Sequence, residues 1–173
     1  KPDGVIDAYD RYIYGNTDPK AYGGFSTDFS WKGFTVNAVF NYSLGGHRIS
    51  SYYEGLVSSV GESYASPDLL DRWSTTNTNA RFPRVMAGTE GYSKFQAGET
   101  DHYIQSSSYL RLGTLTLAYN MPQHWLKNMK SVRLYFTASN LFTITGYKGF
   151  DPEQGDYNYP PTRSYTIGLN FSF

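Results

Sequence analysis

Alternation of apolar and polar side chains is the feature that most limits how this sequence can fold. It recurs in five segments, near 22–31, 34–44, 109–120, 131–145 and 163–173. Successive side chains of a β-strand point to opposite faces, so each segment is expected to form a strand with one apolar and one polar face. The short turn Lys32-Gly33 then joins the first two strands as a hairpin. We therefore predict an all-β fold of about five antiparallel strands.

The third segment contains a break in the alternation. The two leucines before Gly113 fall on one face under strict alternation, whereas the apolar residues from Leu115 onwards fall on the other. A glycine at such a slip predicts a β-bulge or a kink. The fourth segment has a similar local break at Asn140 and Leu141.

The connections between the segments alternate between short and long. Lys32-Gly33 and 121–131 are short, whereas 45–108 and 146–162 are long loops. Short turns at one end and long outer loops at the other are typical of outer-membrane barrels. Inside the longer loop, residues 66–73 are expected to form a short helix with a serine as its N-cap.

Composition favours contact between the apolar face and lipid. Aromatic residues make up 18% of the chain and charged residues 17%, against about 25% charged in typical soluble domains. The polar faces carry Ser, Thr, Asn, Gly and Tyr, and aromatic residues gather near the strand ends, as at membrane interfaces. Five strands cannot close a membrane barrel, because open edges leave backbone groups unpaired in lipid. If the chain belongs to a barrel, we therefore expect residues 1–173 to be its C-terminal portion or a component that pairs with other chains. The sequence has no apolar run long enough for a transmembrane helix and no signal peptide at its start, so we expect that a leader was removed or that the chain is an internal or C-terminal fragment.

Two alternatives stay open on the pattern alone. The first is a soluble, aromatic-rich β-sandwich that binds glycans, and the second is a smaller passive porin. The formal net charge of zero gives no indication of nucleic-acid binding, and the absence of cysteine excludes disulfides and thiolate metal sites. No catalytic motif is present: His47, His102 and His124 lie in separate predicted loops. We therefore predict that the chain is not an enzyme and has no cofactor, with calcium as the one exception considered.

The calcium hypothesis concerns the first ten residues. They match the second half of an EF-hand-type loop, in which carboxylates and one backbone carbonyl supply oxygen ligands. The candidate ligands are Asp3, the Val5 carbonyl, Asp7 and Asp10. The alternative is a carboxylate-rich turn that holds no ion.

Several ordered motifs resemble one family of membrane proteins. They are DGVID at 3–7, GNTDPK at 15–20, DRWS at 71–74, NTNARFP at 77–83, YLRL at 109–112, LTLAYNMP at 115–122, SNLFT at 139–143, YKGFDPE at 147–153 and PTRSY at 161–165. In this order they resemble SusC/RagA-type TonB-linked outer-membrane transporters of Bacteroidetes. The resemblance covers nearly the whole chain. It departs in small details, such as Thr17-Asp18 where the family commonly has Pro-Asn.

The resemblance implies a 22-stranded barrel in the bacterial outer membrane with an N-terminal plug that this chain lacks. The chain would supply about the last five strands and end on an aromatic assembly signal, Phe173. The implied function is TonB-dependent import of oligosaccharides or peptides. The implied partners are a SusD-type surface lipoprotein that acts as a lid, TonB through the absent plug, the rest of the barrel and outer-membrane lipid.

If the chain ends at the periplasm, as in that family, both long loops face outside. Aromatic rings beside carboxylates can stack on sugars, accept hydroxyl hydrogen bonds or hold a peptide. The candidates for contact with substrate or lid are Tyr147, Phe150, Asp151, Glu153, Asp156, Tyr157 and Tyr159. The alternative is that these side chains only pack the loop.

Overall fold

The computed structural model describes residues 8–58, 64–85, 100–126, 128–156 and 158–173. Its strands, in chain order, are β1 (Ala21–Trp31), β2 (Phe34–Leu44), β3 (His47–Ile49), β4 (Ile104–Ser106), β5 (Tyr109–Asn120), β6 (Ser131–Thr145) and β7 (Ser164–Ser172). An α-helix, α1 (Ser51–Ser58), follows β3. Short 3-10 helices lie at Ala8–Asp10, Pro67–Asp71, Asp101–Tyr103 and Gln123–Trp125.

The five long strands form one antiparallel sheet in the order β1-β2-β5-β6-β7. The expected all-β fold with about five antiparallel strands is therefore confirmed. The strands β3 and β4 pair separately as a two-stranded sheet. Among the described residues, no helix is long and apolar enough to cross a membrane.

Strand register places most apolar residues of the five strands on one face, with Val39 as an exception on the polar face. One row runs from Phe25 through Phe40 and Leu112 to Phe142, because each of these residues pairs with the next. The rings of Phe25 and Phe40 stack with their centroids 4.9 Å apart. Much of this face is exposed, for example Phe29 at 62% and Ile167 at 75%.

The bulge expected at Gly113 is present, but one consequence of the sequence pattern was wrong. Val39 pairs with Thr114 and Phe40 with Leu112, so Gly113 is the extra residue of the bulge. The extra residue restores the phase of the alternation. Leu112 and Leu115 therefore share the apolar face, whereas strict alternation placed them on opposite faces. Asn140, at the break in β6, has a left-handed φ of 53°.

The opposite face of the sheet is polar and its side chains bond across strands. The Asn37 side chain donates to Asp28 over 2.8 Å, and the hydroxyls of Thr116 and Thr137 lie 3.2 Å apart. Tyr135 pairs with Gly168, and a Cβ atom at this glycine would collide with the tyrosine ring. The ring therefore lies flat against the strand, which only glycine permits at that position.

The long loop after β2 has a small apolar core of its own. This core consists of Tyr53, Val57, Leu69, Phe82 and Tyr103, all of them buried. The helix expected within 66–73 forms as a 3-10 helix, and the Ser66 hydroxyl accepts from the Asp68 amide over 3.2 Å. The sequence did not indicate α1 or the pairing of β3 with β4. Register places this loop and the one after β6 at the same end of the sheet, since Tyr109 pairs with both Ser43 and Thr145.

Candidate functional site

The loop after β6 is tied to the polar face of the sheet by Arg111. In β5, its Nη2 donates to Asp151 Oδ2 over 2.5 Å, and its Nη1 donates to Glu153 Oε2 over 2.9 Å. Its Nε donates to the Thr143 hydroxyl over 3.1 Å. Arg111 and Asp151 are both buried, at 6% and 5% exposure. The guanidinium fork is therefore filled by two carboxylates and a hydroxyl, which is the geometry that suits arginine.

Asp151 also fixes the turn that follows it. Its Oδ1 accepts from the backbone amides of Glu153 and Gln154 over 2.9 and 3.0 Å. Its carbonyl accepts from the amide of Gly155, whose φ is 76°. One carboxylate thus holds the turn with one oxygen and the sheet with the other. Such full pairing is what allows a charged side chain to be buried.

The two long loops are joined to each other by polar contacts. Arg48 donates to the Glu153 carbonyl over 2.8 Å, and Asp156 accepts from the Tyr52 amide over 3.0 Å and from the Tyr147 hydroxyl over 3.3 Å. We call the joined structure the loop unit, defined as residues 45–58, 64–85, 100–108, 146–156 and 158–163.

A second polar cluster in the loop unit consists of Tyr53, Asp68 and Lys148. The Lys148 ammonium forms an ion pair with Asp68 and lies 5.0 Å from the centroid of the Tyr53 ring. The Tyr53 hydroxyl donates to Asp68 over 2.6 Å. The hydrogen bond from Lys148, and then that from Tyr53, lower the pKa of Asp68, and the bond with Asp68 raises the pKa of Lys148. Burial, followed by the Asp68 bond, raises the pKa of Tyr53.

Exposed aromatic rings lie on the loop unit. The rings of Tyr52 and Phe150 pack with centroids 4.3 Å apart, and their side chains are 44% and 49% exposed. Tyr159 is 81% exposed. We call the packed pair of Tyr52 and Phe150 the aromatic surface. It offers exposed rings to a bound molecule, and Asp156 accepts from the Tyr52 amide.

A groove of about 500 Å³ lies where the loop unit meets the polar face of the sheet. Its lining supplies hydroxyl, amide and charged groups, including those of Asn41, Arg48, Ser107, Tyr109 and Glu153. Pro19, Tyr22, Tyr42 and Pro152 also line it, so the groove presents polar and apolar groups together.

The structure separates the predicted contact residues into two groups. Tyr147 and Asp151 are buried within the loop unit, Asp156 is half-buried, and Glu153 is exposed but paired with Arg111. Phe150 and Tyr159 are exposed. Tyr157 lies outside the described residues. Contact with substrate or lid stays a prediction for all seven, and the geometry favours the exposed pair.

The remaining sequence predictions concern the two ends of the chain. Asp3, Val5 and Asp7 lie outside the described residues, and Asp10 is exposed in the 3-10 helix Ala8–Asp10. Among the residues that the structure describes, no three His, Asp or Glu side chains lie close enough together to hold a metal. The calcium hypothesis stays a prediction. Phe173 directly follows β7 and contacts the Phe171 ring edge-on, and its role as an assembly signal is also a prediction.

Sequence reasoning missed the residues that join the loops to the sheet. Arg111, Arg48, Tyr52 and Lys148 were not singled out, although Arg111 is the only charged residue of β5. A lone charge in a strand otherwise made of apolar and uncharged polar residues indicates a buried partner. That signal could have identified Arg111, but not the acids it binds.

A sheet with one exposed apolar face, one polar face and structured loops at one end has the features expected of the wall of an outer-membrane barrel. Comparison with known proteins agrees. The chain is 34% identical to TonB-dependent receptor P3 of Formosa agariphila, over 98% of this chain and 18% of that protein. It is 29% identical to SusC of Bacteroides thetaiotaomicron, a TonB-dependent receptor, over 98% of this chain and 17% of SusC.

Solved structures give the same result. The RagAB peptide transporter matches 93% of this chain with a TM-score of 0.76 and 30% identity, and the match covers 18% of the RagAB chain. Structures of the RagAB peptide importer in its open-open and closed-closed states match with TM-scores of 0.74 and 0.73. No family model matches the chain. The resemblance to SusC/RagA-type TonB-dependent receptors is therefore confirmed, and the chain spans about a fifth of the length of these relatives.

Proposed function

We propose that this chain is a barrel segment of a TonB-dependent importer in the bacterial outer membrane. The observation that carries the proposal is the continuous apolar face of five strands, exposed opposite a polar face that meets the loop unit. In lipid the apolar face is the outer wall, and the polar face then lines the passage. The relatives are named receptors and transporters, which supports a transport role without chemistry in this segment.

The proposed mechanism assigns the loop unit to cargo capture. A SusD-type lipoprotein closes over the barrel mouth, and the plug, which lies outside this chain, is moved by TonB at the expense of the proton gradient. The aromatic surface and the groove suit oligosaccharides and peptides alike, because both kinds of cargo present hydrogen-bonding groups together with flat or apolar faces. RagAB is a peptide importer, which favours peptides as the first cargo to test.

Uptake by the full-length protein in a deletion strain tests this proposal. Labelled peptides and labelled oligosaccharides are offered separately, with and without a protonophore. We expect Phe150→Ala to raise the KM for cargo by about tenfold, since each lost contact of this size is worth 1 to 2 kcal/mol. Tyr64→Ala is the matched control, because Tyr64 is a 90% exposed tyrosine of the other loop outside the aromatic surface.

Two outcomes would support the alternatives. Extraction of the protein by salt without detergent would favour the soluble β-sandwich. Uptake that persists in the presence of the protonophore would favour the passive porin. Copurification with a SusD-type lipoprotein tests the lid separately from the cargo.

A further inference from the structure

The position of Arg111 indicates what its buried charge holds in place. Arg111 is the only charged residue of β5, and it binds Asp151 and Glu153, which follow it by 40 and 42 residues. The strand itself is held on both sides by backbone ladders to β2 and β6. The side chain of Arg111 adds one bond to the sheet, to the Thr143 hydroxyl of β6, and its two ion pairs hold the loop after β6.

Fixing that loop fixes the other one as well. Lys148 joins them twice, through its side chain to Asp68 and through its amide to Gln105 Oε1 over 2.8 Å. Further contacts join Arg48 to the Glu153 carbonyl and Tyr52 to Asp156. The first loop is also held where it leaves β2 and enters β5, by bonds between Gly45 and Ser108 and between Ser107 and Gly46, so the tie at Arg111 is a second attachment of the loop unit to the sheet.

We propose that Arg111 is a positioning residue that holds the loop unit as one rigid body against the inner wall. The aromatic surface then keeps one place relative to the passage, ready for cargo. The cargo role rests on the proposed function, whereas the rigid attachment does not.

Distances between spin labels in the full-length protein test the attachment directly. This chain contains no cysteine, and any cysteine elsewhere in the full-length protein is replaced by serine before labels are placed at introduced cysteines. Tyr159→Cys and Leu70→Cys mark the two loops, and Lys130→Cys marks the opposite end of the sheet, between β5 and β6. In Arg111→Met, the distribution of distances from the Lys130 label to each loop label should broaden. The distribution of distances between the labels at Leu70 and Tyr159 should stay narrow. Unchanged distributions, or broadening between the two loops as well, would overturn the proposal.

A double variant separates positioning from general damage. Arg111→Met leaves the Asp151 carboxylate buried without its cation, whereas Arg111→Met with Asp151→Asn leaves no buried unpaired charge, since the Glu153 side chain is 53% exposed, and keeps the Oδ1 acceptor of the turn. We expect the double variant to accumulate in the outer membrane at least as well as the single one, with the same broadening. Failure of both variants to fold would show that Arg111 supports the barrel instead of the loops, and would overturn the proposal. Arg133→Met is the matched control, an exposed arginine on the polar face of β6.

Uptake kinetics supply the functional readout. For Arg111→Met we expect the KM to rise about tenfold with little change in the maximal rate, because the contact side chains must be ordered again on binding. Arg111→Lys, which keeps the charge but loses the fork, should give an intermediate value. If Arg111→Met broadens the loop-to-Lys130 distances but the wild-type protein imports neither kind of cargo, the proposed function fails and the attachment stands. If the wild-type protein imports cargo and Arg111→Met leaves those distances unchanged, only the attachment fails.

Discussion

Burial separates the two ion pairs that hold the loop unit. The pair of Arg111 and Asp151 is almost fully buried, whereas the side chains of Lys148 and Asp68 are 40% and 35% exposed. An exposed pair is screened by water and contributes about 1 kcal/mol or less. Breaking a buried pair by removing one partner costs about 3–5 kcal/mol, because a charge is left without compensation. Arg111 therefore attaches the loop unit, and Lys148 only adjusts its stability.

Because the ion pair of Lys148 and Asp68 is partly exposed, we expect Asp68→Asn to have a small, pH-dependent effect on the stability of the loop unit. The pKa of Asp68 is lowered in the folded protein. The carboxylate therefore stabilises the folded loop unit at a pH above its ordinary pKa of 3.8, and this stabilisation is lost as the pH falls through the lowered pKa. At pH 7 we expect Asp68→Asn to increase amide exchange in α1, which carries Tyr53, by at most about fivefold. The difference between the variant and the wild type should shrink as the pH is lowered below 3.8.

Hydrogen exchange of the full-length protein in detergent measures this prediction. Asp18→Asn is the control, because it removes an exposed carboxylate outside the loop unit. A difference at pH 2 as large as that at pH 7 would mean that Asp68 acts through its shape and not through its charge.

Among the elements, the hairpin of β1 and β2 depends most on a single residue. Lys32 and Gly33 have φ angles of 46° and 89°, the left-handed pair that a two-residue hairpin turn requires. A Cβ atom on Gly33 would also lie 2.8 Å from the Asn120 carbonyl, at the end of β5. We expect Gly33→Ala to lower the free energy of unfolding by about 1–2 kcal/mol, as measured by urea denaturation in lipid vesicles.

Gly146→Ala is the matched control for the hairpin. Nothing lies within 4 Å of a Cβ atom placed on Gly146. This variant should unfold at the same urea concentration as the wild type. Equal destabilisation by both substitutions would contradict the role given to the turn.

The elements that sequence predicts well are those whose signal is local. Period-two alternation gave strands 34–44, 109–120 and 131–145 with the bounds that the structure has. The pairing of β3 with β4 was not predictable, because three residues carry too little pattern and the partner lies more than 50 residues away. The tie at Arg111 was missed for the same reason: sequence gives the charges but not which of them meet.

For the molecule as a whole, the sequence pattern gave the two faces of the sheet but not what covers them. Adjacent residues at the middle of β7 distinguish the faces. Ile167 pairs with Phe136 on the apolar face and is 75% exposed, whereas Thr166 pairs with Thr137 on the polar face. Ile167 and Thr166 are neighbours in one strand. The same substitution at the two positions therefore differs mainly in the environment, lipid or water, into which the new side chain points.

Lysine at these two positions should therefore have opposite consequences in a membrane. We expect Ile167→Lys to cost about 2–4 kcal/mol, since a cation facing the bilayer midplane is poorly solvated, and Thr166→Lys to cost much less in a watery passage. Urea denaturation of the full-length protein in vesicles gives both values, and the amount of folded protein in the outer membrane provides a check in cells. In a water-soluble protein with this face exposed, lysine at 167 would be harmless. A tolerated Ile167→Lys beside a damaging Thr166→Lys would therefore reverse the assignment of the two faces, and with it the proposal that this sheet is a barrel wall.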